Sequence, residues 1–136
     1  MKTIKIRPIV EGSVEGEALV SPIPISFLGG VDSETGIITD SENPLFGESI
    51  AGKIFVFPES KGSTVGSYVI YGLSVNNVAP LALIANKAET IVVAGAILAN
   101  IPLVDKADQD VTLSIKTGDK LVIDTTEEIV KIKKVE

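Results

Sequence analysis

The sequence holds no cysteine, no histidine and no tryptophan among its 136 residues, and Arg7 is its one arginine. Without cysteine there is no disulfide framework, and nothing points to an oxidising compartment. Without cysteine or histidine the usual ligands for zinc, copper, haem and iron–sulfur clusters are missing. The commonest general base goes with them, as do Ser–His and Cys–His nucleophile pairs. A net charge of −6 with a single arginine argues against a nucleic-acid interface, which needs a basic stripe. Any chemistry must therefore run on hydroxyls, carboxylates, lysines and backbone amides, or on groups borrowed from another chain.

Long apolar runs are missing too. The longest mostly apolar stretch, Ile91 to Leu98, is far short of the roughly 20 residues of a membrane helix. The N-terminus alternates charged and apolar residues where a secretion signal would present a continuous apolar stretch. The expectation is a soluble cytoplasmic protein that contacts neither membrane nor nucleic acid. What remains is ordinary globular composition, with 45% hydrophobic and 22% charged residues, and a length that fits one domain over 1–136. Aromatics are only 4%, so the core must be built from aliphatic side chains.

Hydrophobic periodicity gives the order of elements. Thr3 to Val10 reads as a strand, and a Gly- and Glu-rich turn leads to a second at Ala18 to Ser21. Phe27 to Ser49 is crowded with turn formers and shows only Ile37-Ile38 as a possible short strand. Such a segment is either a loose surface excursion or a functional, packed loop. Lys53 to Phe57 reads as a strand buried on both faces. The stretch SYVIYGLSVNN follows, with Tyr68, Ile70, Tyr71 and Val75 at helical spacing. Ala79 to Ala85 is a strand, Glu89 to Ile101 a helix, and Pro102 to Val104 a short strand. LVID and IVKIKKV read as a terminal antiparallel hairpin whose lysines, Lys131, Lys133 and Lys134, face water. Strand–helix alternation with short links implies right-handed crossovers and a parallel layer. The fold class expected is α/β.

Chemistry concentrates in the turn Glu59 to Ser67, ESKGSTVGS, between a buried strand and a helix start. Ligands of open α/β sheets gather at that carboxyl edge. Gly62 and Gly66 permit close backbone approach, and Ser63, Thr64 and Ser67 present hydroxyls. The same residue types serve equally well as a plain helix cap, and spacing does not choose between the two. The turn matches neither a P-loop nor the dinucleotide fingerprint. A lone serine is a poor base unless positive potential stabilises its alkoxide, and no arginine is near in sequence. Chemistry at Ser63 would thus require cations from another chain. Asp105, Asp108 and Asp110 lack the glycine and terminal glutamate of a calcium loop and read as a solvated loop.

The run from Gly29 to Leu73, with its GGVD-x-x-TG and KGS-x-x-GS motifs, resembles the small-subunit or swivel-domain signature of the aconitase X family. NNVAPLALI, AILANIPLVD and KTGDKLVID agree with it, so the resemblance spans most of the chain. It implies a swivelling β/β/α domain, with a central parallel strand–helix layer and a flanking β layer, that pairs with a large catalytic subunit. It implies an iron–sulfur cluster on that subunit, no cofactor in this chain, and dehydration of a phosphorylated hydroxy acid. For archaeal members that is mevalonate 5-phosphate, giving trans-anhydromevalonate 5-phosphate on a modified mevalonate route to isoprenoids. Bacterial relatives are instead similar to dehydratases acting on cis-3-hydroxy-L-proline, which carries no phosphate.

By the same resemblance Ser63 is the proton acceptor, while Gly62, Thr64, Gly66 and Ser67 shape the loop or touch substrate. Asn43-Pro44 stands where the family often has His-Pro, which removes support for a role of that side chain. Two other readings stay open. One is a non-catalytic regulatory domain that closes over a partner's complete site, and the other is a free-standing binder of a small anion.

Overall fold

The computed structural model describes residues 1–135; Glu136 lies outside the described residues. The fold grows from short strands that are apolar on both sides. β4 (Ile54–Phe57) and β5 (Ala82–Ala85) are buried at every position. Together with β6 (Leu103–Asp105) they form a parallel run, with Ile54 opposite Ala82 and Leu83 opposite Leu103. The longer β3 (Val14–Val20) joins this run through Ala18–Val20, parallel to β4. Its first half, Val14–Glu17, pairs instead with β7 (Lys120–Asp124) in antiparallel fashion. β8 (Ile129–Lys133) then pairs with β7, and β1 (Lys2–Lys5) with β8, both antiparallel. β2 (Arg7–Val10) closes the other edge against β6. The strand order is β1-β8-β7-β3-β4-β5-β6-β2.

The outermost strands of that order are consecutive stretches of one chain, separated by Ile6 alone. The eight strands therefore fold over on themselves into two sheets. Side-chain alternation sets the layers, because neighbouring residues of a strand point to opposite faces. Ile54, Val56, Ala82 and Ile84 share a core with Leu121, Ile123, Val130 and Ile132 of the antiparallel sheet. Phe55, Phe57, Leu83 and Ala85 face the other way, toward α2 (Gly66–Val75) and α3 (Thr90–Ala99). The order is β, β, α, as the aconitase X resemblance implies. No helix of the described residues is long and apolar enough to cross a membrane.

Several expected elements move. The single strand over Thr3–Val10 divides at Ile6, and its halves sit in different sheets. Alternation continues across the break, so the pattern alone carries no mark of the change of partner. The strand expected at Ala18–Ser21 begins earlier, at Val14. The 27–49 segment is no loose excursion, since Phe27, Val31 and Ile38 are buried in the helix-side core. Phe27 opens a kinked turn, α1 (Phe27–Gly30), and its ring meets those of Phe55 and Phe57 edge-on at 6.4 and 5.8 Å. Ile37 and Ile38 form isolated bridges rather than a strand.

Asp105 is not solvated. Its fully buried carboxylate accepts from Arg7 Nε at 2.8 Å and Nη2 at 3.0 Å, and from the Ala88 N–H at 2.9 Å. The pair raises the Arg7 guanidinium above its ordinary value, the hydrogen bond it donates to Asp105 being the main cause. Asp110 caps the short α4 (Val111–Ser114), an element the hydrophobic pattern did not reveal. Hydrogen bonds from Asn86 and Thr112 hold its carboxyl below the usual range.

Asp119, at the entrance to β7, ties down the C-terminal segment. It accepts from the N–H groups of Lys116 at 2.8 Å and Val135 at 2.9 Å, and from Lys134 Nζ at 3.1 Å. Burial pushes this carboxyl upward, but those amides and the ammonium outweigh it and leave it below its ordinary value. A depressed carboxyl stabilises the fold above its unfolded pKa near 4, and that stability is lost as pH falls through the lower folded value. Asp119→Asn should cost about 1–3 kcal/mol at pH 7, from two weakened hydrogen bonds and a lost ion pair. Urea denaturation should show that difference shrinking below pH 4, as the wild-type carboxyl protonates.

Candidate active site

The parallel strands end at one edge of the sheet, and the chain crosses it twice in succession. After β3, residues Ser21 to Ser26 run alongside Pro58 to Lys61, which follow β4. Ile25 and Ser60 form a parallel bridge, with Ile25 N–H donating to the Glu59 carbonyl at 3.1 Å and Lys61 N–H to the Ile25 carbonyl at 3.0 Å. This ladder carries the β3–β4 pairing past the strands and fixes where the glycine turn starts. Gly62 then reverses the chain at φ +98°, in the left-handed region that favours glycine. A Cβ there would stand 2.6 Å from Ser26 Oγ. The backbone conformation favours glycine here, and a Cβ would also force the Ser26 hydroxyl to move.

Beyond Gly62, Ser63 and Thr64 stand exposed ahead of α2. Ser63 Oγ accepts the Val65 N–H at 3.1 Å, and its carbonyl accepts the Gly66 N–H at 3.0 Å. The first turn of α2 is thus closed by Ser63 and Thr64 themselves. The amides of Gly62, Ser63 and Thr64 find no acceptor among the described residues. One amide on Ser63 Oγ favours its ionised form only slightly, far short of what a hydroxyl needs near neutral pH.

Gly62, Ser63 and Thr64 therefore come together on one exposed turn. Gly66 and Ser67 turn away from it. Gly66 is buried, and a Cβ there would sit 3.6 Å from Phe27 Cβ and 3.7 Å from Ile91 Cδ1. Ser67 Oγ donates to the Thr64 carbonyl at 2.9 Å, which occupies its hydroxyl within the helix start. Asn43 is buried as well, its Nδ2 donating to Ser21 Oγ at 3.0 Å and its Oδ1 accepting the Leu45 N–H at 2.9 Å. The Asn43 side chain is thus committed to holding the 27–49 segment on the strand edge.

A polar cleft of about 450 Å³ opens beside the turn, lined by Ser26, Gly29, Thr39, Asp40, Glu42 and Lys61 among others. Of this set the motifs include Gly29, which opens GGVD-x-x-TG, and Lys61, which opens KGS-x-x-GS. Thr39, Asp40 and Glu42 lie in the turn-rich segment, where the density of turn formers after a strand's carboxyl end is the signal for them. Among the described residues Lys61 has no carboxylate within ion-pair distance, while Asp40 and Glu42 share its cleft. The wall carries two negative side chains against one positive.

The sequence profile of the aconitase X swivel domain matches residues 3–132. The chain belongs to that family. This aconitase X swivel chain is similar to the phosphomevalonate dehydratase small subunit of Thermococcus kodakarensis, at 59% identity over 121 residues, covering 89% of each. It is likewise similar to the phosphomevalonate dehydratase small subunit of Methanocaldococcus jannaschii, at 55% over 130 residues, covering 95% of this chain and 96% of that one. Its fold matches the crystal structure of Thermococcus kodakaraensis aconitase X in the holo-form with a TM-score of 0.93. That match has 54% identity and spans 98% of this chain and 100% of the other.

This swivel chain offers no ligand set for the iron–sulfur cluster that the resemblance puts on the large subunit. It has no thiolate or imidazole to offer, and among the described residues no three His, Cys, Asp or Glu stand together as a metal site.

Gly62→Ala should shift the turn against Ser26. Amide NMR resonances of Ser26, Ser63 and Thr64 should move, while thermal unfolding changes by only a few degrees because the turn is exposed. Adding Ser26→Gly should relieve the contact yet leave the left-handed strain, so the shifts should revert only in part.

Proposed function

We propose that this chain is the small subunit of a two-chain hydro-lyase that dehydrates mevalonate 5-phosphate to trans-anhydromevalonate 5-phosphate. The observation that carries the reading is the exposed Ser63 hydroxyl, held on a glycine-bent turn at the carboxyl edge of a parallel sheet. The relatives named phosphomevalonate dehydratase small subunit support the substrate and the partnership.

Elimination from a β-hydroxy acid begins at the carbon next to the carboxylate. Ser63 Oγ takes the proton there, the C–H electron pair becomes the new double bond, and the hydroxyl leaves the neighbouring carbon with its own electron pair. Gly62 and Thr64 line that approach with their free amides. Gly66 and Ser67 hold the turn's shape from inside, the first by packing and the second by its bond to Thr64.

The electrostatics call for a second chain. The substrate bears a carboxylate and a phosphate, yet the cleft wall carries Asp40 and Glu42 against Lys61. Arg7 is fastened to Asp105 and Lys134 to Asp119, so neither is available. The large subunit would add cations to those that Lys61 and the exposed Lys87 offer at this edge, holding the anion and easing ionisation of Ser63, and any iron–sulfur cluster resides there.

The test is reconstitution with purified large subunit, assayed on mevalonate 5-phosphate and on cis-3-hydroxyproline. The isolated chain should be inactive, and mixing should give turnover of the phosphorylated acid. Ser63→Ala should assemble with unchanged affinity and lose about 10²–10⁴-fold in kcat, the range of a lost general base. Near-normal turnover by that variant would remove Ser63 from the mechanism and leave a regulatory swivel domain.

A further inference from the structure

α2 and α3 together hold twenty residues, GSYVIYGLSV and TIVVAGAILA, without one charged side chain. Each α-helical residue turns about 100°, so the four directions around α2 can be assigned. Gly66, Ile70 and Leu73 point to the sheet and are buried. Toward α3 lie Ser67, Ile70 and Ser74. A Cβ on Gly95 of α3 would come within 2.8 Å of Ile70 and 3.1 Å of the Ser67 carbonyl, and Ser74 Oγ donates to the Ala99 carbonyl at 3.3 Å. On the other flank a Cβ at Gly72 would meet Ser33 at 3.1 Å, and Asn76 Nδ2 donates to the Ser33 carbonyl at 2.9 Å. The direction left over, opposite the sheet, holds Tyr68, Tyr71 and Val75 within an arc of about 60°. They are 68%, 44% and 59% exposed.

A solvent-facing helix stripe is ordinarily polar. Here it is two tyrosines and a valine, and α3 continues it with Ile97 and Leu98, 61% and 54% exposed, at the level of Gly72 and Leu73. The antiparallel sheet makes the contrast, since its exposed side chains include Lys2, Lys5, Lys131 and Lys133. The apolar face starts beside the site. Thr64 lies one helical turn before Tyr68 on the same stripe, and Val65, 47% exposed, follows it. Any chain that delivers an anion-binding cation to Ser63 must come down at that end of α2.

We infer that the outer face of α2, led by Tyr68 and Tyr71 and extended by Ile97, is the surface on which the large subunit docks. The inference rests on the two-chain reading of the site. The occupant it selects offers an apolar patch to the helices and cations to the adjoining turn. Tyrosine suits the role, because it buries a large ring while its hydroxyl stays hydrogen-bonded at the rim.

The test measures affinity of the full chain for the purified large subunit, by calorimetry, alongside light scattering of the isolated chain. Tyr68→Glu with Tyr71→Glu should weaken binding at least 100-fold, two anchors at tenfold or more each. Circular dichroism and melting of the variant should match wild type, since both side chains are exposed. Enough large subunit should restore kcat. Lys131→Glu, on the exposed face of the antiparallel sheet, should bind as wild type does. Unchanged affinity of the double variant overturns the inference. So does a wild-type self-dimer that Tyr71→Glu dissolves, which would make the occupant a second copy. Ser63→Ala separates the two readings: silent there with binding lost at Tyr68 and Tyr71, the docking face stands and the catalytic assignment falls. The reverse pattern retains the base and removes the docking face.

Discussion

Four consecutive residues with no exposed side, Ile54 to Phe57, set the architecture. A strand shows alternate side chains to opposite faces, so Ile54 and Val56 need cover on one side and Phe55 and Phe57 on the other. The antiparallel sheet meets the first demand, and α2 with α3 and Phe27 the second. Each such side chain contributes about 1.5–3 kcal/mol when fully buried, a large sum beside the marginal stability of a domain. β3 serves both layers, spending its first half in one sheet and its second in the other. The parallel direction of β3 and β4 then brings two loops to the same edge. Ser26 and Gly62 meet because those strands run together, and Ser63 is displayed as a result.

The chain's few strong electrostatic pairs work at holding this arrangement. Arg7 fastens edge strand β2 to the end of β6 through Asp105, close to where the N-terminal segment changes sheets. Lys134 and the Val135 amide close the C-terminus on Asp119. These pairs leave the candidate site with hydroxyls, free amides and one lysine facing two carboxylates. A site built in this way presents a hydroxyl on a shaped turn, but it lacks the positive potential that would make that hydroxyl an effective base. The proposed partnership and the uncharged helix face answer the same deficit.

Local pattern was enough wherever the cause was local. KIFVF reads as a doubly buried strand, LVID and IVKIKKV as the terminal hairpin, and Ser-Gly density locates the turn around Gly62. It failed where the cause lay far along the chain. Alternation through Thr3–Val10 says nothing of Ile6 as the crossing between sheets, and Asp105 looks solvated until Arg7, 98 residues away, comes to meet it. The helical spacing of Tyr68, Ile70, Tyr71 and Val75 found the helix but joined its buried and outward faces, because an uncharged helix has no polar stripe to distinguish them. In the turn, Ser63 and Thr64 are presented and Ser67 is occupied, which residue types alone do not distinguish.

In the proposed mechanism Ser63 of this chain moves a proton at a carbon held by another chain. Hydrogen exchange reads that step apart from hydroxyl departure. With the assembled complex in heavy water and mevalonate 5-phosphate at equilibrium with its dehydrated product, solvent deuterium should enter the carbon next to the carboxylate. In the Ser63→Ala complex, with assembly and substrate binding intact, that entry should slow by about the same 10²–10⁴ as turnover. Deuterium entering at the wild-type rate in that complex would remove Ser63 from the proton transfer.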